Sequence, residues 1–339
     1  MSPILFVTGA TGFVGSALAA RLAADGTAVL GMTSDPASAP RIPGVDWVRG
    51  DLEDPANLQS ATRGVDAVFH AGGMVGHFGW RPDYLRINVE GTRSLVAACQ
   101  ANGVGTLIHT STPSVIADGS DHFGVNEDHP YSRRFASPYP ESKALSEQLV
   151  LAAHGGNLRT IVVRPHMIWG PGRSQWVQGM LRRAARNALW RIGAGHIRIG
   201  MTYLDDCLEA HVAAWRALSA DASVGGVPYF VHGGEPIVFW DWVAALSRAC
   251  GFSPIRGSVP TSMAMAAAQA CDAAVVLLRG RVHLPISAYL ITEITTEHYS
   301  DITRARQRLG FSARVTVAEG IARIAAAHRA APDAAKAPR

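Results

Sequence analysis

The sequence predicts an α/β protein built on a doubly wound parallel sheet, with a smaller C-terminal α/β part left for a substrate. Three observations predict it. Through the first two-thirds of the 339 residues, short runs rich in Val, Ile and Leu alternate with longer helical patterns, the signature of βαβ units. The strand runs are near-continuously apolar, so helices cover both sheet faces. The first run leads directly into a glycine turn and an amphipathic helix.

In order, the strands are read at "ILFVTG", "TAVLGM", "VDWVRG", "VDAVFHAG", "VGTLIHTS" and "LRTIVVRP". Between them lie the helices "VGSALAARLAADG", "DYLRINVEGTRSLVAACQANG" and the stretch 137–155. In the last, Ser137 caps a first turn that tolerates Pro138 and Pro140, because no backbone N–H is needed there. Leu145, Leu149, Ala152 and Ala153 make its apolar stripe, which stops at Gly155 and Gly156. Past about residue 170 the pattern loosens, which sets a nucleotide-binding core at 1–170 against a substrate part at 171–328 with some elements returning to the core. Residues 329–339, rich in Ala and Pro without periodicity, read as a disordered tail.

Composition narrows the partners. A formal net charge of +4 with 17% charged residues and no dense Lys/Arg run argues against nucleic acid. Cys99, Cys207, Cys250 and Cys271 are far apart, which argues against a disulfide framework or a metal site and suits a reducing cytosol. No basic segment precedes "ILFV", so no secretory signal is expected. The run "SMAMAAAQACDAAVVLLRG" at 262–280 is interrupted by Gln269 and Asp272. It offers about 16 apolar residues, short of the roughly 20 that span a bilayer. It reads as a buried or substrate-covering helix, with a peripheral membrane contact through 262–279 as the alternative.

"VTGATGFVG" places Gly9, Gly12 and Gly15 after the first strand and at the head of a helix, the context a dinucleotide loop requires. Glycine lets backbone approach a pyrophosphate, and the N-terminal amides around Thr11, Phe13 and Val14 offer donors and a positive dipole end. At the end of the second strand, where NAD binders usually carry a carboxylate, stand Thr33 and Ser34, with Asp35 and Arg41 further on. Two hydroxyls suit a 2′-phosphate, so NADP(H) is favoured over NAD(H). Asp51 and Leu52 fit an adenine contact.

Tyr139 and Lys143 stand four apart in "YPESK" and so share a helix face, about 6 Å between Cβ atoms. Spacing alone makes them neighbours and nothing more. Taken together, "TGATGFVG", "HAGG", "INVEGT", "HTSTPSV", "YPESK" and "VVRPHMIWGPG" resemble, in order and spacing, the extended short-chain dehydrogenase/reductase family over about residues 3–310. Within it the chain is most similar to the 3β-hydroxysteroid dehydrogenase branch. There "HTSTPSV", "NEDHPY" and "YPESKALSEQLVLAA" resemble the reductases of 2-alkyl-3-oxoalkanoates in bacterial olefin biosynthesis.

The resemblance implies a Rossmann core and an NAD(P)-dependent oxidoreductase that interconverts a ketone and a secondary alcohol on a hydrophobic substrate. When hydride reaches a ketone carbon, the oxygen must take a proton; the reverse reaction must remove one. Tyr139 is then the acid/base, and the Lys143 ammonium lowers a phenol pKa that is otherwise near 10. The resemblance further implies that Lys143 binds the nicotinamide ribose and that Thr112 orients the substrate oxygen, Ser111 or Ser114 replacing it if the register slips. Asn88 would hold a relay water, Ala71 and Gly72 would pass under the cofactor, and Pro165 and His166 would lie beside the nicotinamide amide. Phe78, Trp80, Thr112 and Ser114 would touch substrate, and His77, Arg173 and Arg198 are candidates for a carboxylate. An epimerase of nucleotide sugars is the alternative, a non-catalytic sensor with an intact tyrosine the least favoured. Pro113 and Ser114 stand where the sugar dehydratases carry an Asp-Glu pair, which disfavours dehydration. A homodimer paired through 83–103 and 137–155 is expected on the same resemblance.

Overall fold

The computed structural model describes residues 2–330 except 77, 78, 173, 254 and 283. His77, Phe78, Arg173 and residues 331–339 of the expected tail therefore lie outside the described residues. Arg329 and Ala330, also assigned to that tail, instead complete the helix Val317–Ala330.

Seven strands form one parallel sheet: β1 Ile4–Thr8, β2 Ala28–Thr33, β3 Val45–Arg49, β4 Ala67–His70, β5 Thr106–Thr110, β6 Arg159–Pro165 and β7 Pro228–Val231. Their spatial order is β7-β6-β5-β4-β1-β2-β3. Six of the seven are the strands expected from the sequence; β7 is the element that returns from the C-terminal part. Alternation decides which helix meets which residue. Leu5 and Val7 of β1 pack with Leu18 and Leu22 of helix α1 (Phe13–Ala24). Phe6 between them faces the opposite layer, with Leu95 and Cys99 of α2 (Gly91–Ala101) and Val150 of α3 (Pro138–Ala152). The same alternation recurs at Ile161 and Val163 against Val162 of β6. Helix α4 (Leu204–Ala220) completes the first layer through Leu208 and Val212.

Chain order reverses at β1, which pairs with β2 on one side and β4 on the other. A ligand in such a sheet sits outside the carboxyl ends of the strands at that reversal.

Beyond the sheet, a four-stranded sheet runs in the order Ile237–Val238, Arg198–Ile199, His298–Ser300, His122–Val125. Trp169, Trp240 and Trp242 centre a second core there. Helix α5 (Thr261–Leu277) packs on α6 (Ala288–Glu293) through Ala264, Ala268 and Ile291. The expectation of a buried helix at 262–279 holds for that inner face alone, because Met263, Val276, Leu277 and Leu278 are exposed. Among the described residues, no helix is long and apolar enough to cross a membrane.

Candidate active site

At the reversal point the loops after β1 and β4 touch. Gly9 has φ +66°, and a Cβ there would lie 2.7 Å from Gly72 Cα. A Cβ on Gly15 would lie 2.1 Å from the Gly9 carbonyl oxygen, so only glycine lets α1 start this close to the loop. Gly12 heads α1 without a side-chain cap, and the first-turn amides, including those of Phe13 and Val14, have no side-chain acceptor. Thr11 is exposed beside them. Close backbone approach and uncapped amides together give this cradle the chemistry that suits a pyrophosphate.

Below the cradle runs a directed hydrogen-bond chain. The Gly72 amide donates to Thr8 Oγ1 at 3.0 Å, and Thr8 Oγ1 lies 2.8 Å from His70 Nδ1. His70 Nε2 lies 2.8 Å from Thr92 Oγ1, which donates to the Asn88 carbonyl at 2.6 Å. Since Thr92 spends its proton on Asn88, His70 donates from Nε2 and accepts at Nδ1. Burial pulls His70 down to about 3, with the Lys143 charge adding to it, so the ring stays neutral. The cofactor loop is thereby tied to Asn88.

Asn88 itself lies in the π-turn Leu85–Glu90, an irregularity common at functional sites. Its Oδ1 accepts from the Met74 amide at 2.7 Å, and its Nδ2 donates to Met74 O and Ser142 Oγ, each at 2.9 Å. It fixes the loop after Gly72 to α3.

At the second strand, Thr33 Oγ1 accepts from the Asp35 amide at 3.3 Å, while the Asp35 carboxylate is turned onto Ala37 N and Ser38 Oγ. Ser34 and Arg41 are exposed. Arg49, paired in register with Thr33, adds a cation that sequence reading missed. Asp51 Oδ1 accepts from the Glu53 amide, and Leu52 packs on Gly91.

Tyr139 opens α3, with Ser137 capping the helix by accepting from its amide at 3.3 Å. Thr112 hydrogen-bonds the Tyr139 phenol, an influence that lowers its pKa, while burial, Tyr84 and Glu293 raise it and prevail. The phenol therefore stays protonated. Tyr84 and Tyr289 stand against its ring, each with centroids 6.3 Å away. Ser114 Oγ lies 2.8 Å from Tyr289 OH and 3.1 Å from Thr112 Oγ1. Ser111 points elsewhere, donating to Glu147 Oε2 at 2.5 Å.

Lys143 is buried and donates to the Thr110 carbonyl at 2.6 Å and to His109 Nε2 at 3.3 Å. Burial lowers it to about 8, with Glu147 opposing. The expected lowering of Tyr139 by this ammonium is not what dominates here: the charge is turned toward β5, and burial of the phenol wins.

The remaining candidates divide. The Pro165 and His166 segment ends β6, but the His166 imidazole is buried, 2.8 Å from Ser300 Oγ, stacked on His298 and met edge-on by His232. Trp80 is half-buried against Gly280, just past α5. Arg198 is taken by Glu297 and lies over Tyr299, which removes it as a free carboxylate partner. Tyr84, Tyr289 and Glu293 were not foreseen. Tyr289 and Glu293 are one helical turn apart in α6, and nothing in that spacing ties them to Tyr139, about 150 positions away.

The glycine cradle at a sheet reversal, and a Tyr/Lys pair beside a strand-end hydroxyl, define a short-chain dehydrogenase/reductase of the extended kind. Residues 6–260 match the 3-beta hydroxysteroid dehydrogenase/isomerase family, and the chain belongs to it. It is 36% identical to a 2-alkyl-3-oxoalkanoate reductase of Stenotrophomonas maltophilia, over 96% of this chain and 99% of that one. It is 34% identical to a protein of the same name from Shewanella oneidensis, over 95% and 85%. In fold it is similar to the UDP-glucuronic acid 4-epimerase of Bacillus cereus in complex with NAD, at 21% identity and TM-score 0.75, covering 96% and 99%. The chain is an NAD(P)-dependent oxidoreductase that interconverts a ketone and an alcohol.

Proposed function

We propose that the chain reduces the 3-oxo group of a long-chain 2-alkyl-3-oxo acid, using NADPH. The observation that carries the reduction is the Tyr139 phenol, kept protonated by burial and hydrogen-bonded to Thr112. A bound nicotinamide supplies the hydride. Tyr139 then gives its proton to the oxygen that gains negative charge, Thr112 and Ser114 orient that oxygen, and Lys143 holds the ribose. Ala71 and Gly72 line the floor, and Pro165 flanks the nicotinamide. Tyr84, Tyr289 and Trp80 form the wall against which an apolar chain packs, and their size and shape support a greasy substrate. The two relatives named for this substrate class, similar over nearly their whole lengths, support the acyl reading over a steroid. Ser34 and Arg49, beside a carboxylate already committed to its own turn, support NADP(H).

The division near residue 170 gives the substrate part at 171–328. A homodimer forms through the outer faces of α2 and α3, where Leu145 is exposed. Helix α5 rests on a lipid surface, from which such a substrate would arrive.

The test is cofactor oxidation with NADPH and NADH in parallel, on a 2-alkyl-3-oxo acid and a 3-oxosteroid. Turnover of the oxo acid with NADPH, reduced in Tyr139→Phe by about three orders of magnitude at nearly unchanged cofactor affinity, is expected. Steroid turnover alone moves the chain to the steroid enzymes. Silence on both, with NAD retained through purification, favours an epimerase.

A further inference from the structure

Lys143 carries three N–H donors on a buried ammonium. One reaches the Thr110 carbonyl and one meets His109 Nε2, which leaves the third for a cofactor ribose on the reading above. His109 is wholly buried on β5, and its Nδ1 has no hydrogen-bond partner. Its ring stands 4.9 Å from that of His70, which the threonine chain locks in place. An ammonium has no lone pair to offer, so a neutral His109 meets it through an unprotonated Nε2 and keeps its own proton on Nδ1.

We propose that His109 is a positioning residue of this active site: its Nε2 holds the Lys143 ammonium charged and aimed past Thr110 toward the cofactor. The inference rests on Lys143 serving the cofactor and not on which ketone is reduced. Five titratable groups lie on this ammonium's own helix and on the elements packed around it. Tyr139 and Glu147 lie on its own helix, His70 on β4 and His109 on β5; His211 of α4 lies 2.8 Å from Thr110 Oγ1. Glu147 is paired with Arg164, and the three imidazoles are held neutral by burial. His109 is the ring that touches the ammonium. Without its acceptor, burial draws Lys143 further down, and the charge is lost at a lower pH.

The test compares His109→Gln, which keeps an acceptor oxygen, with His109→Phe, which keeps a ring and removes it. His109→Leu stands in if the phenylalanine variant fails to fold. NADPH affinity is measured by fluorescence titration from about pH 6 to about pH 10, which reads Lys143 without any ketone. The parent should lose affinity as pH rises. In His109→Phe the loss should begin about one pH unit earlier, roughly tenfold weaker binding in that window, while His109→Gln follows the parent. A flat parent profile, a phenylalanine variant that superimposes on the parent, or equal shifts in both variants overturns the proposal. A chain that binds NADPH in the expected way but reduces no ketone overturns the substrate assignment and leaves this result standing.

Discussion

Tyr139 and Glu293 present one problem twice: each is an acid whose charged form the site disfavours. Burial holds the Glu293 carboxyl above its ordinary value, with His298 opposing, and the Glu293 charge in turn raises Tyr139. The consequence for stability has a definite sign. At low pH both folded and unfolded chains hold the Glu293 proton and nothing is lost. As pH rises the unfolded chain releases it first, so stability falls until the folded group also ionises, and it stays lower above that point. Glu293→Gln removes the effect. Its thermal midpoint should exceed the parent's at about pH 8 and match it at about pH 4, where an unfolded glutamate is largely protonated. With Tyr139 as the proposed base, the same change should move the pH profile of alcohol oxidation to lower pH, because the phenolate it needs is discouraged by the neighbouring carboxylate. Calorimetry and initial rates across pH read the two effects separately, and a midpoint gain that is equal at both pH values defeats the argument.

Among the elements, α3 shows what a motif conveys and what it conceals. "YPESK" placed Tyr139 and Lys143 on one face because helical periodicity is local and survives in any context. Its next turn carries Glu147, completely buried, with Arg164 of β6 donating to both its oxygens. Tyr131 OH and Ser111 Oγ donate to it as well. Nothing local announces that pairing. It depends on β6 lying beside β5, a contact made by chain topology. The pair fixes Ser111 and thus the backbone that presents Thr112. The Arg164 guanidinium also lies 5.0 Å from the Phe230 ring centroid and 5.5 Å from that of Tyr131. Arg164→Met leaves a carboxylate buried without its cation, which should cost about 3–5 kcal/mol in denaturant unfolding. Adding Glu147→Leu should restore most of that stability, because a well-packed apolar pair at such a site is close to neutral. A single variant within about 1 kcal/mol of the parent would show the pair to be dispensable.

For the whole molecule, the sheet was legible because its strands are buried on both faces and so write their identity in consecutive apolar residues. The cradle was legible because close backbone approach demands glycine at Gly9 and Gly15. The surroundings of Tyr139 were not: Tyr84, Tyr289 and Glu293 come from separate segments that only the tertiary fold brings to it. Helix α5 was ambiguous for a related reason, since an apolar helix reads alike whether protein or lipid covers it. In the structure Ala264, Ala268 and Val275 face inward, while Met263, Ala266, Ala270, Ala273 and Leu277 form an outward stripe at helical spacing. Leu278 extends it, and the exposed Arg279 and Arg281 follow. An apolar stripe of about 23 Å with cations at its C-terminal end matches a helix lying flat on anionic lipid. The chain should therefore co-sediment with vesicles containing phosphatidylglycerol, and less so as salt is raised. Leu277→Asp with Met263→Asp should abolish that binding while leaving turnover of a water-soluble short-chain substrate unchanged. Equal sedimentation of parent and double variant would mean that another surface meets the lipid, and no sedimentation of either would assign the stripe to protein contact.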